Sequence, residues 1–295
     1  GLSSLATAII APGDVVLAPN PSYPIHTFGF IIAGATIRSV PTTPDEQYWE
    51  SLDRAMNYTV PRPSVLVVSY PSNPTAETVE LPFYERLVAW AKENQVWIVS
   101  DLAYSELYFD GKPTRSIMEV PGAKDVAIEF TSMSKTYSMA GWRMGFAVGN
   151  KQLIAALTRV KSYLDYGAFT PIQAAACAAL NGPQDIIEAN RELYHKRRDV
   201  MVEAFGRAGW EIPPPPASMF AWAPLPPALK SMGSLEFSKQ LLTQAQVAVA
   251  PGVGYGENGE GYVRIAMVEN EQRLRQAARN IKRYLQSVGV NSSAA

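Results

Sequence analysis

SMSKTYSMAGWRMG, residues 132–145, contains one lysine, with two serines before it and an arginine eight positions after it. The apolar segments on either side of this stretch have the composition of buried strands. A lysine at a strand end, among hydroxyl groups and an arginine, suits a cofactor that carries both an aldehyde and a phosphate. Lys135 would form an imine with the aldehyde, while Ser132, Ser134 and Arg143 would hold the phosphate. The alternative, a surface turn with a solvated lysine, fits the apolar flanks less well.

Strand-like and helix-like segments alternate through the first part of the chain. Short apolar runs predict strands at residues 15–18, 36–40, 65–68, 96–99, 126–130 and 142–148. Helical patterns cover residues 2–10, 45–56, 81–93, 151–163 and 171–180. This alternation is typical of an α/β fold with a mostly parallel sheet, flanking helices and right-handed crossovers.

Three polar residues each follow a predicted strand by a few positions: Asn73, Asp101 and Lys135. Functional groups in an open α/β sheet gather beyond the carboxyl ends of the strands, so we expect the three to converge. Asp101 is either a turn residue or helix cap, or the partner of a protonated ring nitrogen. In the second role its carboxylate would keep a pyridinium charged, so that the ring could act as an electron sink.

Other candidates have a structural and a functional interpretation. Asn73 precedes Pro74 in a common turn dipeptide, but its amide and the phenol of Tyr104 would also suit a phenolic oxygen on the cofactor. Tyr23, in a proline-rich turn, is either a core residue or a stacking surface for a planar ring. Arg264 lies in an apolar strand, where its charge needs a partner, either a substrate carboxylate or an internal salt bridge.

The remainder of the chain predicts a smaller α+β domain. Its strands are expected at residues 219–223, 247–250 and 262–267, and its helices at 185–208, 234–244 and 269–286. We place the domain boundary near Gly182-Pro183, which divides the chain into a large domain at 1–183 and a small one at 184–295. The tail at 292–295 is expected to fray.

Composition narrows the possible partners and location. The net charge of -1 and the lack of a basic block argue against a nucleic-acid partner. Two histidines are too few for the usual metal clusters, and no apolar run approaches membrane-spanning length. The single cysteine, Cys177, fits a reducing compartment, so we expect a cytoplasmic protein. The chain begins at Gly1 in what reads as a helix start, which predicts a fragment or processed chain.

Taken together, these segments resemble the class I/II, fold-type I pyridoxal-phosphate aminotransferases. Residues 132–145 match the signature of that family at every constrained position. Segments 71–75, 101–104 and 262–264 follow its order and approximate spacing, and the resemblance covers essentially the whole chain. The family carries a long N-terminal stretch ahead of the position of Gly1, including a phosphate-binding turn, and this sequence does not contain it.

The resemblance implies a role for each candidate, with pyridoxal 5'-phosphate as the cofactor. Catalytic roles fall to Lys135 as the Schiff-base lysine, Asp101 opposite the ring nitrogen, and Tyr104. The implied cofactor contacts are Asn73 and Tyr104 at the phenolic oxygen, Tyr23 against the ring, and Ser132, Ser134 and Arg143 at the phosphate. Arg264 would grip the substrate α-carboxylate, and Asn73 would also contact the substrate.

Longer stretches, at 19–26, 137–143 and 163–167, look like the bacterial alanine (glutamate–pyruvate) branch. This similarity favours transamination between alanine and 2-oxoglutarate by a homodimer. The alternatives are an aspartate- or aromatic-type aminotransferase, a β-lyase or γ-eliminating synthase of the same fold, and an aminotransferase-like sensor domain of a regulator. The last would need a helix-turn-helix ahead of Gly1.

Overall fold

A mostly parallel sheet of six strands organises the first half of the molecule. The structure, a computed structural model, describes residues 1–290, so the predicted fraying of 292–295 lies outside the described residues. The strands are β1 (Val15–Asn20), β2 (Thr36–Pro41), β3 (Val65–Val68), β4 (Trp97–Asp101), β5 (Ala127–Ser132) and β6 (Gly145–Gly149). Their order is β2-β1-β3-β4-β5-β6, and only β6 runs antiparallel to its neighbour. All four residues of β3 are buried, as expected for a strand covered on both faces.

Helices cover both faces of this sheet. They are α1 (Leu2–Ile9), α2 (Ile25–Ile31), α3 (Glu46–Tyr58), α4 (Leu81–Asn94), α5 (Met133–Thr136), α6 (Lys151–Leu164) and α7 (Thr170–Asn181). One apolar cluster joins α3 and α4 to the sheet through residues such as Leu52 and Leu87. A second cluster joins α1, α2 and α6 to the opposite face through Leu5, Phe30 and Leu153. The sheet is therefore the middle of three layers.

A smaller unit with its own core follows. Its antiparallel sheet has the order β7-β9-β8, formed by β7 (Phe220–Pro224), β8 (Ala250–Pro251) and β9 (Tyr262–Ala266). Its helices are α8 (Asp185–Arg207), α9 (Ser234–Ala245) and α10 (Glu271–Ser287). Fully or almost fully buried side chains from these elements form one cluster, which includes Phe205, Trp210, Phe237, Ile281 and Leu285. The predicted fold class is thus confirmed, with an α/β sheet and a smaller α+β unit.

Two local predictions were wrong, and one helix was missed. The strand predicted at 142–148 begins only at Gly145, because residues 140–142 form a 3₁₀ turn and Arg143 has a φ of 53°. Helix α2 was not predicted, since its sequence, IHTFGFI, mixes β-branched, aromatic and glycine residues. The strand predicted at 247–250 is reduced to Ala250–Pro251.

Backbone hydrogen bonds at two places connect segments of the two units. At one, the amide of Ser22 donates to the carbonyl of Tyr255 over 2.9 Å. At the other, the amide of Phe109 donates to the carbonyl of Pro216 over 3.0 Å. The candidate site lies where these segments meet. No helix within residues 1–290 is long and apolar enough to cross a membrane.

Candidate active site

Lys135 lies on a single helical turn at the carboxyl end of β5. Ser132 ends that strand, and its Oγ accepts a hydrogen bond from the amide of Ser134 over 3.1 Å, which caps α5. Burial lowers the pKa of Lys135, and the nearby charges of Arg143 and Arg264 lower it further. A larger fraction of the amine is therefore neutral, which is the form that attacks an aldehyde.

The three predicted phosphate ligands lie around this turn. Ser132 uses a lone pair for the helix cap, and its hydroxyl proton stays free to donate. Arg143 is exposed, has a left-handed backbone conformation, and donates from Nη1 to the carbonyl of Ala140 over 3.0 Å. Within residues 1–290 no hydrogen bond joins it to Ser132 or Ser134. These side-chain donors lie near Lys135, and among the described residues they do not donate hydrogen bonds to one another's side chains, so they are free to bind a phosphate.

Asp101 ends β4 and is held by a residue that the sequence analysis did not select. His26 on α2 is fully buried, and its Nε2 lies 2.9 Å from Oδ2 of Asp101. The other oxygen, Oδ1, accepts from the amide of Ala103 over 3.2 Å. The carboxylate is thus oriented at both oxygens. The one available signal for His26 was its position three residues after Tyr23, in the same proline-rich segment.

Arg264 and Asn73 meet across the boundary between the two sheets. Nη1 of Arg264 donates to Oδ1 of Asn73 over 2.8 Å, and its guanidinium lies 4.0 Å from the centre of the Phe220 ring. Within residues 1–290 it forms no salt bridge, so the internal ion pair considered from the sequence is not found. Its Nε is buried without a partner in the same range. An anionic ligand would satisfy this charge and this donor.

Two tyrosines complete the set. Tyr104 is buried, and its ring centre lies 5.9 Å from Nζ of Lys135. Burial raises the pKa of its phenol, and the charge of Asp101 raises it further, so the hydroxyl remains a donor. Tyr23 is 44% exposed and meets the His26 ring edge-on at 5.9 Å. Its open ring can stack on a planar ligand.

The geometry agrees with the comparison to known proteins. The profile of the family "Aminotransferase class I and II" matches residues 1–281. The chain belongs to this family. Its members depend on pyridoxal phosphate, so this aminotransferase is a pyridoxal-phosphate-dependent transaminase. The residues fit that cofactor: an amine with lowered pKa, an oriented carboxylate, and free donors beside the amine.

Individual relatives are similar over nearly the whole aminotransferase chain. A putative aminotransferase, AatC, from Rhizobium meliloti is 62% identical, and the match covers 97% of this chain and 71% of AatC. The glutamate-pyruvate aminotransferase AlaC from Escherichia coli is 51% identical, over 98% of this chain and 70% of AlaC. An aromatic aminotransferase structure from Pyrococcus horikoshii superposes with a TM-score of 0.89 at 26% identity, covering 98% of this chain and 78% of that one.

Proposed function

We propose that this aminotransferase moves an amino group between alanine and 2-oxoglutarate, producing pyruvate and glutamate. Similarity to a glutamate-pyruvate aminotransferase supports this choice of substrates. The observation that carries the proposal is Arg264, whose buried Nε has no partner among residues 1–290 and whose hydrogen-bond partner is a neutral amide. A guanidinium in this state is suited to the α-carboxylate that both substrates share.

Each residue at the site has a proposed task. When bound, pyridoxal phosphate supplies an aldehyde that captures the substrate amine and a ring that withdraws electrons from Cα. Asp101, oriented by His26, holds the ring nitrogen protonated. Lys135 would act as the base that removes the proton from the substrate Cα and as the acid that returns a proton.

The remaining residues would bind and orient the cofactor. Ser132, Ser134 and Arg143 hold the phosphate through hydroxyl and guanidinium donors. The hydroxyl of Tyr104 and the amide of Asn73 would donate hydrogen bonds to the phenolic oxygen of the cofactor and favour its ionised form. Tyr23 covers one face of the ring.

Product analysis tests the reaction. Incubation with alanine, 2-oxoglutarate and cofactor is expected to yield pyruvate and glutamate in equal amounts, and Lys135→Ala is expected to yield neither. An elimination enzyme of the same fold would not produce the two together. Failure to detect this pair, with activity on a β-substituted amino acid instead, would contradict the proposal in favour of a β-lyase.

We also propose a homodimer. Large apolar side chains are exposed at the end of α6 and in the turn that leads to α7, namely Tyr163, Leu164, Tyr166 and Phe169, with exposed fractions from 65% to 90%. A cluster of this kind is typical of an interaction surface. Sedimentation is expected to give about twice the 32.2 kDa mass of one chain. Tyr166→Asp is expected to produce monomers, whereas a monomeric unmodified enzyme would contradict the proposal.

The organisation and location of the chain remain proposals as well. We propose a division between a large domain at 1–183 and a small domain at 184–295, supported by the separate apolar clusters on either side. A cytoplasmic location is supported by the single free cysteine and the small-molecule substrates. Limited proteolysis near residue 183 would test the division, and cell fractionation would test the location.

A further inference from the structure

The segment that follows β4, from Tyr104 to Asp110, is attached to the smaller unit by its backbone. We call it the 104–110 loop. The amide of Ser218 donates to the carbonyl of Leu107 over 2.6 Å, and the amide of Phe109 donates to the carbonyl of Pro216. The loop that begins with Tyr104 therefore pairs with the chain that leads into β7.

One face of α8 holds the same loop through charged side chains. Arg191 and Arg198 are seven residues apart and so lie on the same side of the helix. Arg191 donates to both the carbonyl and the carboxylate of Glu106 over 3.2 Å, and its guanidinium lies 3.8 Å from the centre of the Tyr108 ring. Positive groups on the helix thus face negative groups on the loop.

The pair formed by Arg198 and Asp110 is the stronger of these contacts. Both guanidinium Nη atoms bond the carboxylate, at 2.6 and 2.9 Å, and the arginine side chain is only 7% exposed. His195 and Asp199 lie beside it, each 2.8 Å from an Arg198 nitrogen. The hydrogen bonds from Arg198 hold the pKa of Asp110 below its usual range. A bond through both Nη atoms fixes direction as well as distance, with the arginine buried and the Asp110 side chain 53% exposed.

From the loop, aromatic contacts lead back into the site. The ring of Phe220 on β7 lies 5.5 Å from that of Tyr104, in an edge-to-face arrangement, and it also lies under the guanidinium of Arg264. Tyr104, Leu107 and Phe220 form one buried apolar cluster. The loop therefore carries Tyr104 against Phe220, the same ring that lies against the guanidinium of Arg264.

We propose that Arg191 and Arg198 are positioning residues for the reaction, which act by holding the 104–110 loop so that Tyr104 is aligned with the cofactor. This inference rests on the proposed function, because it assumes that the Tyr104 hydroxyl donates to the phenolic oxygen of the cofactor. A loosened loop would weaken that hydrogen bond, and the lysine-bound cofactor would hold its proton to a higher pH.

The test is a pH titration of the visible absorbance of the cofactor-loaded enzyme. Asp110→Asn removes one charge of the pair, and asparagine tolerates the φ of 57° at this position. It is expected to raise the midpoint by about half a pH unit, the size of a partly lost hydrogen bond. Arg198→Lys keeps the charge but not the two-pronged geometry, and is expected to cause part of the shift.

Two further variants separate positioning from general destabilisation. Asp125→Asn breaks a more exposed, single-contact pair with Lys92 at 2.9 Å and is expected to leave the midpoint unchanged. In a Tyr104→Phe background, Asp110→Asn is expected to add no further shift. If Asp110→Asn shifted the midpoint equally in the Tyr104→Phe background, or did not shift it in the otherwise unmodified enzyme, this inference alone would be overturned. Absence of any cofactor absorbance in the unmodified enzyme would overturn the proposed function, and this inference with it.

Discussion

His26 shows how a residue without substrate contact can control the chemistry at the scale of single side chains. It is fully buried and 2.9 Å from Asp101, so its ring helps to orient the carboxylate that we propose faces the cofactor nitrogen. The residue types at the site were predictable from the sequence, because lysine, aspartate and arginine have few roles in such positions. The contact with His26 was not, since 75 residues separate it from Asp101.

We predict that His26→Ala lowers kcat/KM by about 10- to 100-fold, because a hydrogen bond to a charged group contributes ~1.5–3 kcal/mol. His26→Asn, which keeps a donor, is expected to lose less. Steady-state kinetics measure the effect, and thermal unfolding of both variants shows how much of it comes from the cavity. Equal losses in the two variants would show that packing, and not the hydrogen bond, is what His26 contributes.

Arg143 is predicted to tune Lys135 even without cofactor. Its positive charge helps to lower the pKa of the lysine, so Arg143→Gln is expected to raise that pKa. At a pH below the pKa of Lys135 in both proteins, a smaller fraction of the amine is neutral in the variant. Labelling of Lys135 by an acylating reagent is therefore expected to be slower in Arg143→Gln. Mass spectrometry of the cofactor-free enzyme across a pH series measures this. Arg115→Gln, which removes a surface arginine paired with Glu119, is the control. An unchanged labelling profile in Arg143→Gln would contradict the prediction.

At the scale of elements, strands that are buried on both faces were predictable, whereas short turns were not. Four consecutive buried valine and leucine residues identify β3 without ambiguity. The turn after Lys135 depends on a left-handed backbone at Arg143, and arginine has no intrinsic preference for it. Tertiary contacts therefore decide the conformation of the segment that presents the phosphate donors.

Glu129 on β5 provides a test at this scale. It is 2% exposed and accepts hydrogen bonds from Ser100, Ser116 and the amide of Ile117, which ties β5 to the 3₁₀ turn at Ile117–Glu119. Burial raises its pKa above the ordinary value of 4.5. The folded state therefore binds more protons than the unfolded state above about pH 4.5, and the free energy of unfolding falls as pH rises through that window.

Glu129→Gln is expected to remove this part of the pH dependence, because an amide does not titrate. Denaturant unfolding at several pH values would show it as a difference between the two curves that grows from pH 4.5 upward until the carboxyl is ionised. Identical slopes in the two proteins would contradict the prediction.

At the scale of the whole molecule, the site exists only where the two sheets meet. Arg264 belongs to the small sheet and Asn73 follows a strand of the large one, yet they share a 2.8 Å hydrogen bond. The sequence predicts each unit separately from its own periodicity. Periodicity does not predict their contact, because a pairing over 191 residues leaves no local pattern, and only the family resemblance brought both residues to the substrate site.

Arg264→Lys is expected to raise the KM for the amino donor by about 10- to 100-fold, because lysine cannot replace two parallel hydrogen bonds to a carboxylate. Cofactor absorbance is expected to stay the same. Arg86→Lys, at a surface pair with Glu46, is the matched control and should keep the original KM. An unchanged KM in Arg264→Lys would place the carboxylate elsewhere.

The reactivity of Lys135 also depends on the two halves staying together. Burial and the charge of Arg264, which belongs to the small sheet, both depress its pKa. If the halves separated, the amine would gain solvent and lose that neighbour, so its pKa would rise toward the ordinary value and a smaller fraction would be neutral. A damaged or partly opened molecule would then react more slowly with stray sugars and other carbonyl compounds, so the closed architecture limits the reactivity of its own nucleophile to the intact enzyme.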